Sequence, residues 1–171
     1  MRFMMTATMV LLIGTLLATG VACKKSDNIQ KPGVAYLPAG WYLTADEPYG
    51  TYQDDGLRSG LVEYTNSWNN DLIQLWYGDK PASLAGKESD ANALIAQAVN
   101  EAIFSPDDTG NIYVAGRSAG YAEAYDPYWD SWETEIVFIY GDTYVDIYAI
   151  YDNEESGIND LMAIIQSIFF K

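Results

Sequence analysis

Histidine is missing altogether from these 171 residues. Its absence removes the commonest general base, the commonest transition-metal ligand and the usual switch near neutral pH. Ser-His-Asp and Cys-His catalysis cannot be assembled, and zinc sites built on His and Cys are excluded. Cysteine occurs once, at Cys23. No disulfide can form within the chain, so the fold must rest on its core. Positive charge is scarce as well: 9 Lys and Arg stand against 24 Asp and Glu, a net charge of −15. From Pro32 onward the balance is 5 against 23, or −18. Such a surface repels nucleic acid and anionic headgroups and suits cationic, neutral or metal-bridged partners. A solvated face adapted to salty or acidic surroundings accounts for the same charge without any partner.

What is present begins with a leader. Met1-Arg2-Phe3 precedes an apolar run, Met4 to Ala22, broken only by threonines and glycines. A short positive start and an apolar stretch ending in small residues describe a secretory signal. The run closes Leu17-Ala18-Thr19-Gly20-Val21-Ala22-Cys23, which resembles the lipobox of prokaryotic lipoproteins. The resemblance implies cleavage before Cys23 and a diacylglycerol on its thiol, leaving no free thiol in the mature chain. Gly20 departs from that family, which prefers Leu at this position. An uncleaved helix of about 20 residues would also span a bilayer. Four threonines and the following Lys24 and Lys25 disfavour it, since positive charge prefers the cytoplasmic flank. Both readings place the remainder outside the cytoplasm. The expectation is a signal peptide over 1–22, a lipidated N-terminus and tether over 23–33, and one globular domain over 34–171, held at the cell membrane on its extracytoplasmic side.

About 140 residues then remain for folding, a usual size for one domain. Trp41 to Ala45 reads as a short strand and Asp46 to Gly60, rich in Gly, Pro and Asp, as an irregular loop. Gly60 to Asn66 and Asp71 to Tyr77 are β-rich runs joined by Ser67-Trp68-Asn69-Asn70, a hairpin. Leu94, Ile95, Ala98, Val99, Ala102 and Ile103 recur at helical spacing, predicting a helix over about 90–104 capped by Ser89 and stopped at Ser105-Pro106. Asn111 to Val114 and Arg117 to Tyr125 are strand-like, kinked at Ala115-Gly116; Gly120 among small residues predicts close packing over one face. Asp126 to Trp132 reads as a loop. Thr134 to Tyr140 and Thr143 to Tyr151 flank Gly141-Asp142, a type II′ hairpin signal. Ile158, Leu161, Met162, Ile165, Ile168 and Phe169 predict a second amphipathic helix, with Glu154 and Glu155 at its start. The order is strands, helix, strands, helix. It predicts an α+β fold: a largely antiparallel sheet packed against two amphipathic helices.

Pro38-Ala39-Gly40-Trp41 leading a strand, Ala115-Gly116-Arg117-Ser118-Ala119 after the first helix, a long hairpin and an amphipathic C-terminal helix together resemble the PsbP-like superfamily. That group includes photosystem II accessory proteins, Ran-binding Mog proteins and lipoproteins of the DcrB and LpqN kind. The resemblance implies an α/β/α sandwich and an accessory or binding role, with no shared catalytic residues and no cofactor.

Chemistry-bearing residues concentrate in Tyr125-Asp126-Pro127-Tyr128-Trp129-Asp130-Ser131-Trp132-Glu133. Its carboxylates suit Ca²⁺, at Asp126, Asp130 and Glu133, and its aromatics, Tyr125, Trp129 and Trp132 among them, suit sugars or cations. Aromatics folded back on the core explain the same composition. Asp107-Asp108-Thr109-Gly110-Asn111 and Asp54-Asp55-Gly56 read as turns. Tyr49, Tyr52, Trp68 and Tyr77 either line a groove or cover a sheet edge. Glu63, Asp71, Glu133, Glu135 and Asp146, on or near strands, are the acids that a histidine-free glycosidase would need, though nothing in the sequence pairs them. The leading expectation is a non-enzymatic, lipid-tethered module that binds a protein partner at the cell surface. A small-ligand or Ca²⁺-binding domain using residues 125–133 comes second, and a carboxylate hydrolase third.

Overall fold

A computed structural model of the chain describes residues 28–54, 56–152 and 155–171. The leader, Cys23, Lys24, Lys25, Asp55 and Glu154 lie outside them. The chain enters through β1 (Pro32–Val34), which pairs with the C-terminal β9 (Ile168–Phe170) in a two-stranded ribbon. Seven further strands make one sheet: β2 (Trp41–Asp54), β3 (Leu57–Asn66), β4 (Leu72–Gly78), β5 (Asp108–Val114), β6 (Arg117–Asp126), β7 (Ser131–Tyr140) and β8 (Thr143–Asp152). Their order is β2-β3-β4-β8-β7-β6-β5, and every neighbouring pair is antiparallel. Two helices, α1 (Ala91–Glu101) and α2 (Glu155–Gln166), complete the expected α+β arrangement.

Period-two alternation decides which helix covers which face. Along β8, Val145, Ile147, Ala149 and Tyr151 point to one side and pack with Ile136 and Phe138 of β7 and Leu161, Ile164 and Ile165 of α2. The same core takes in Trp41, Tyr64, Ile73 and Leu75 from the other half of the sheet. Each large apolar side chain buried there contributes about 2 kcal/mol gross. On the opposite face a smaller core joins Val137, Ile139 and Ala122 to Leu94 and Ala98 of α1 and to Leu84. Gly120 lets α1 seat: a Cβ there would stand 2.2 Å from the Leu94 carbonyl carbon and 2.3 Å from the Ile95 nitrogen. The close packing expected at this glycine is the helix backbone itself.

Several local expectations are corrected. Asp46 to Gly60 is not a loop. It holds most of β2 and the start of β3, and the ladder absorbs Pro48 and Gly50 through register shifts after Leu43 and after Glu47. An edge strand tolerates both devices, because one side of its backbone needs no partner. Asp108 to Asn111 is strand, paired with Gly120 to Glu123, and not a turn. Ala115-Gly116 is a two-residue hairpin turn and not a kink, with φ of 48° and 73°. Asp90, not Ser89, caps α1, accepting from the Asn92 and Ala93 N–H groups. That helix stops at Glu101, which leaves Ile103 82% exposed. Ile168 and Phe169 belong to β9, so α2 is shorter than its apolar repeat suggested. Pro32-Gly33 is strand, so the chain joins the fold earlier than a tether reaching residue 33 would. The Gly141 turn matches expectation: Gly141 has φ of 61° while Asp142 keeps a negative φ, as type II′ requires.

Candidate functional site

The second helix and the β1–β9 ribbon cover one face of the sheet along its length, but α1 lies over β5, β6 and β7 only. On the α1 side, β2, β3 and β4 carry no helix among the described residues, and β8 meets α1 through Tyr144. The result is a cleft of about 1020 Å³ between α1 and the β2–β4 half of the sheet. Tyr52, Trp76, Leu84, Ala93 and Ala96 give it apolar walls, and Gln97, Glu101, Tyr144 and Asp146 gather at its head. Tyr52 and Trp76 meet edge to face at 5.0 Å, and the Trp76 Nε1–H donates to Gln74 Oε1 at 3.3 Å. At the mouth, Arg58 pairs with Asp79 and lies over the Tyr49 ring, whose hydroxyl also donates to Asp79 at 2.7 Å.

The polar head of the cleft is ordered by α1. Ser83 Oγ donates to Gln97 Oε1 at 2.9 Å, and Gln97 Nε2 donates to Glu101 Oε1 at 2.5 Å. The Tyr144 hydroxyl donates to the same Glu101 oxygen at 3.1 Å. Burial, with Asp146 and Glu101 nearby, pushes the Tyr144 hydroxyl far above its ordinary range and keeps it a donor. Glu135, only 4% exposed, shares a hydrogen bond with Asp146. Two carboxyls in that contact need a proton between them. Burial raises both acids, and the negative charge of Glu101 adds to the effect. Asp146 Oδ1 is sealed from solvent and has no hydrogen-bond partner among the described residues.

The segment the sequence singled out behaves differently. Tyr125 and Asp126 end β6, Trp132 and Glu133 begin β7, and only residues 127–130 form a turn. Asp126 Oδ1 accepts from the Tyr128 N–H at 2.8 Å and the Trp129 N–H at 3.4 Å. Asp130 accepts from the Tyr125 hydroxyl at 2.6 Å, which holds that phenol protonated above its usual range. Glu133 accepts from the Tyr148 hydroxyl at 3.1 Å. Tyr125 and Trp132 pack ring against ring across the strands at 5.4 Å, on the α2 side. These carboxylates thus serve the turn and the strands. Among the described residues no group of three or more acids is placed to hold a metal.

Of the four aromatics considered for a groove, Tyr52 and Tyr77 line the cleft, Tyr49 stands beside it, and Trp68 lies in the β3–β4 turn, 74% exposed. Of the strand acids, Glu135 and Asp146 are brought together, while Asp71 lies at the turn, bonded to Asn69 and the Asp152 N–H. Direct hydrogen bonding is closer than the roughly 5–9 Å that glycosidase carboxyl pairs need to admit a sugar or a water. Glu101, Gln97 and Tyr144 went unnoticed in the sequence. The available signal was a polar pair four residues apart on an otherwise apolar helix face, with a hydroxyl and a carboxyl, Tyr144 and Asp146, alternating on a buried strand. No family model, no curated protein and no solved structure matches this chain, so its own geometry carries the functional argument.

Proposed function

We propose that the chain is an exported lipoprotein, tethered through a diacylglycerol on Cys23, that acts without catalysis as a binding module on the extracytoplasmic side of a membrane. Its ligand site is the cleft beside α1. The observation that carries this reading is the half-covered sheet: an aromatic-walled cavity of about 1020 Å³ with convergent polar groups at one end. That combination is the usual form of a small-ligand site. The lipobox-like run ending at Cys23 supports the location. Two measurements test it. Full-length protein made in a bacterial host should partition into membranes and incorporate labelled fatty acid, and Cys23→Ser should abolish both. A thermal-shift screen of neutral and cationic small molecules should yield stabilising ligands whose effect disappears in Trp76→Ala. Soluble, unacylated wild type would end the tether reading, and hits indifferent to Trp76 would end the cleft reading.

A second reading rests on a different observation. Trp68, Tyr128 and Trp129 are 74%, 82% and 73% exposed and sit on turns at the same end of the sheet. Exposed aromatics grouped in this way favour a protein partner at the cell surface. Replacing all three with Ser should abolish any recovery of a partner from membranes while leaving the melting temperature unchanged.

A further inference from the structure

We propose that the cleft recognises a primary alkylammonium, its –NH₃⁺ group seated among Glu101, Tyr144 and Asp146 and its carbon chain lying along Tyr52 and Trp76. This rests on the cleft being a ligand site and names the class of ligand. Three carboxyls from three elements converge there: Glu101 from α1, Glu135 from β7 and Asp146 from β8. Among the described residues, no lysine or arginine forms an ion pair with any of them. Glu101 sits in the last turn of α1, which has no basic residue, and the free carbonyls at a helix C-terminus add negative potential at that point. Independently, the sealed Asp146 Oδ1 lacks a donor although its residue lines the cleft. A buried acceptor without a partner is costly to the fold, and a ligand that donates to it recovers that loss.

The group that suits this site is cationic, carries several N–H donors and is attached to something apolar. A metal ion fits poorly, since no group of acids among the described residues is arranged to hold one. A primary ammonium supplies a point charge with three donors, and the apolar walls take its chain. The proton balance follows from the Glu135–Asp146 contact. In the free protein one proton lies between the two acids. R–NH₃⁺ donates to the other Asp146 oxygen, Oδ1, so the shared proton stays in place, none is released, and the net negative charge of the site falls by one. The groups facing this event are Glu101 from α1, Glu133 and Glu135 from β7, and Tyr144 and Tyr148 from β8. Lys87, in the segment before α1, lines the wall.

Calorimetry on the detergent-solubilised full chain at pH 7 tests the assignment, with n-butylamine, 1,4-diaminobutane and 1-butanol as probes. Each is run in phosphate and in MOPS, whose ionisation enthalpies differ. The two amines should bind at one per chain, at least tenfold tighter than butanol, and the heats should be the same in both buffers, since no proton is exchanged. Glu101→Gln and Asp146→Asn should each weaken the amines at least tenfold; Glu101→Gln, at the open end of α1, serves if the other variant folds poorly. Butanol binding as tightly as butylamine would remove the ammonium and leave the cleft a ligand site. Absence of heat with either amine, or amine binding unchanged in Glu101→Gln, would overturn the assignment, while membrane retention through Cys23 would stand or fall separately.

Discussion

Asp71 shows how a single carboxyl ties stability to pH in this chain. It is almost fully buried at the β3–β4 turn, accepts the Asp152 N–H at 3.0 Å and an Asn69 amide hydrogen at 2.8 Å, and is pushed up to about 6 chiefly by desolvation. Its folded value lies above its unfolded value of 3.8, so the folded chain holds a proton that the unfolded chain gives up. Stability is therefore complete below about pH 4 and declines as pH rises through about 6. Urea midpoints measured from pH 4 to 7 should fall over that window, and Asp71→Asn should flatten the decline. Glu135 acts in the same sense at higher pH, because its raised value extends the loss beyond neutrality. Glu135→Gln substitutes an amide donor for the shared proton. At pH 8 it should stabilise the fold by about 1–2 kcal/mol, read as a higher urea midpoint that no longer depends on pH above 6.

At the scale of elements, α1 and its seat on Gly120 decide whether the cleft exists. An added methyl would meet the helix backbone at Leu94 and Ile95, which cannot yield as a side chain would. Gly120→Ala should cost about 1–3 kcal/mol and, by lifting α1, abolish ligand-induced thermal shifts; chemical denaturation and the screen together check this. On the other face, Leu161→Ala should cost about 2–5 kcal/mol, and Leu161→Asp, a bare charge in the main core, should prevent folding. The elements that were legible in the sequence have local causes. The β7–β8 hairpin is fixed by Gly141, the β3–β4 hairpin by alternation on both sides of Ser67 to Asn70, and the helices by their apolar stripes. The elements that were misread have tertiary causes. Pro48 and Gly50 look like loop residues but are tolerated because β2 is an edge strand. Ile168 and Phe169 continue a helical repeat but are drawn into β9 by pairing with Pro32 to Val34. The candidate cleft was not legible in the sequence for a related reason. Composition drew attention to residues 125–133, whose acids bond their own turn and strands. The acids that meet, Glu135, Asp146 and Glu101, lie on three elements whose proximity only the β4–β8–β7 order and the placement of α1 create.

For the whole molecule, charge and attachment remain. With a net charge of −18 from Pro32 onward and three ion pairs among the described residues, self-repulsion outweighs local attraction. Screening should therefore stabilise: raising salt from 0.05 to 0.5 M shortens the Debye length from roughly 14 to 4 Å and should raise the melting temperature. The proposed attachment would fix orientation. The Gln30 N–H donates to Thr143 Oγ1 at 2.7 Å, beside the Gly141 turn, so the chain leads toward Cys23 from that end of the sheet. Tyr128 and Trp129 sit at the other end of β7, ten residues away, or about 33 Å along a strand. From Cys23 to Asn28 the chain can reach at most roughly 18 Å. If Cys23 carries the anchor as proposed, the Gly141 end is held near the bilayer and the aromatic tip points outward. Trp129 should then be quenched by aqueous acrylamide but not by nitroxide-labelled lipids, with Trp129→Phe identifying its share of the signal. Strong lipid quenching assigned to Trp129 would mean that the tip, and not the tether end, faces the membrane.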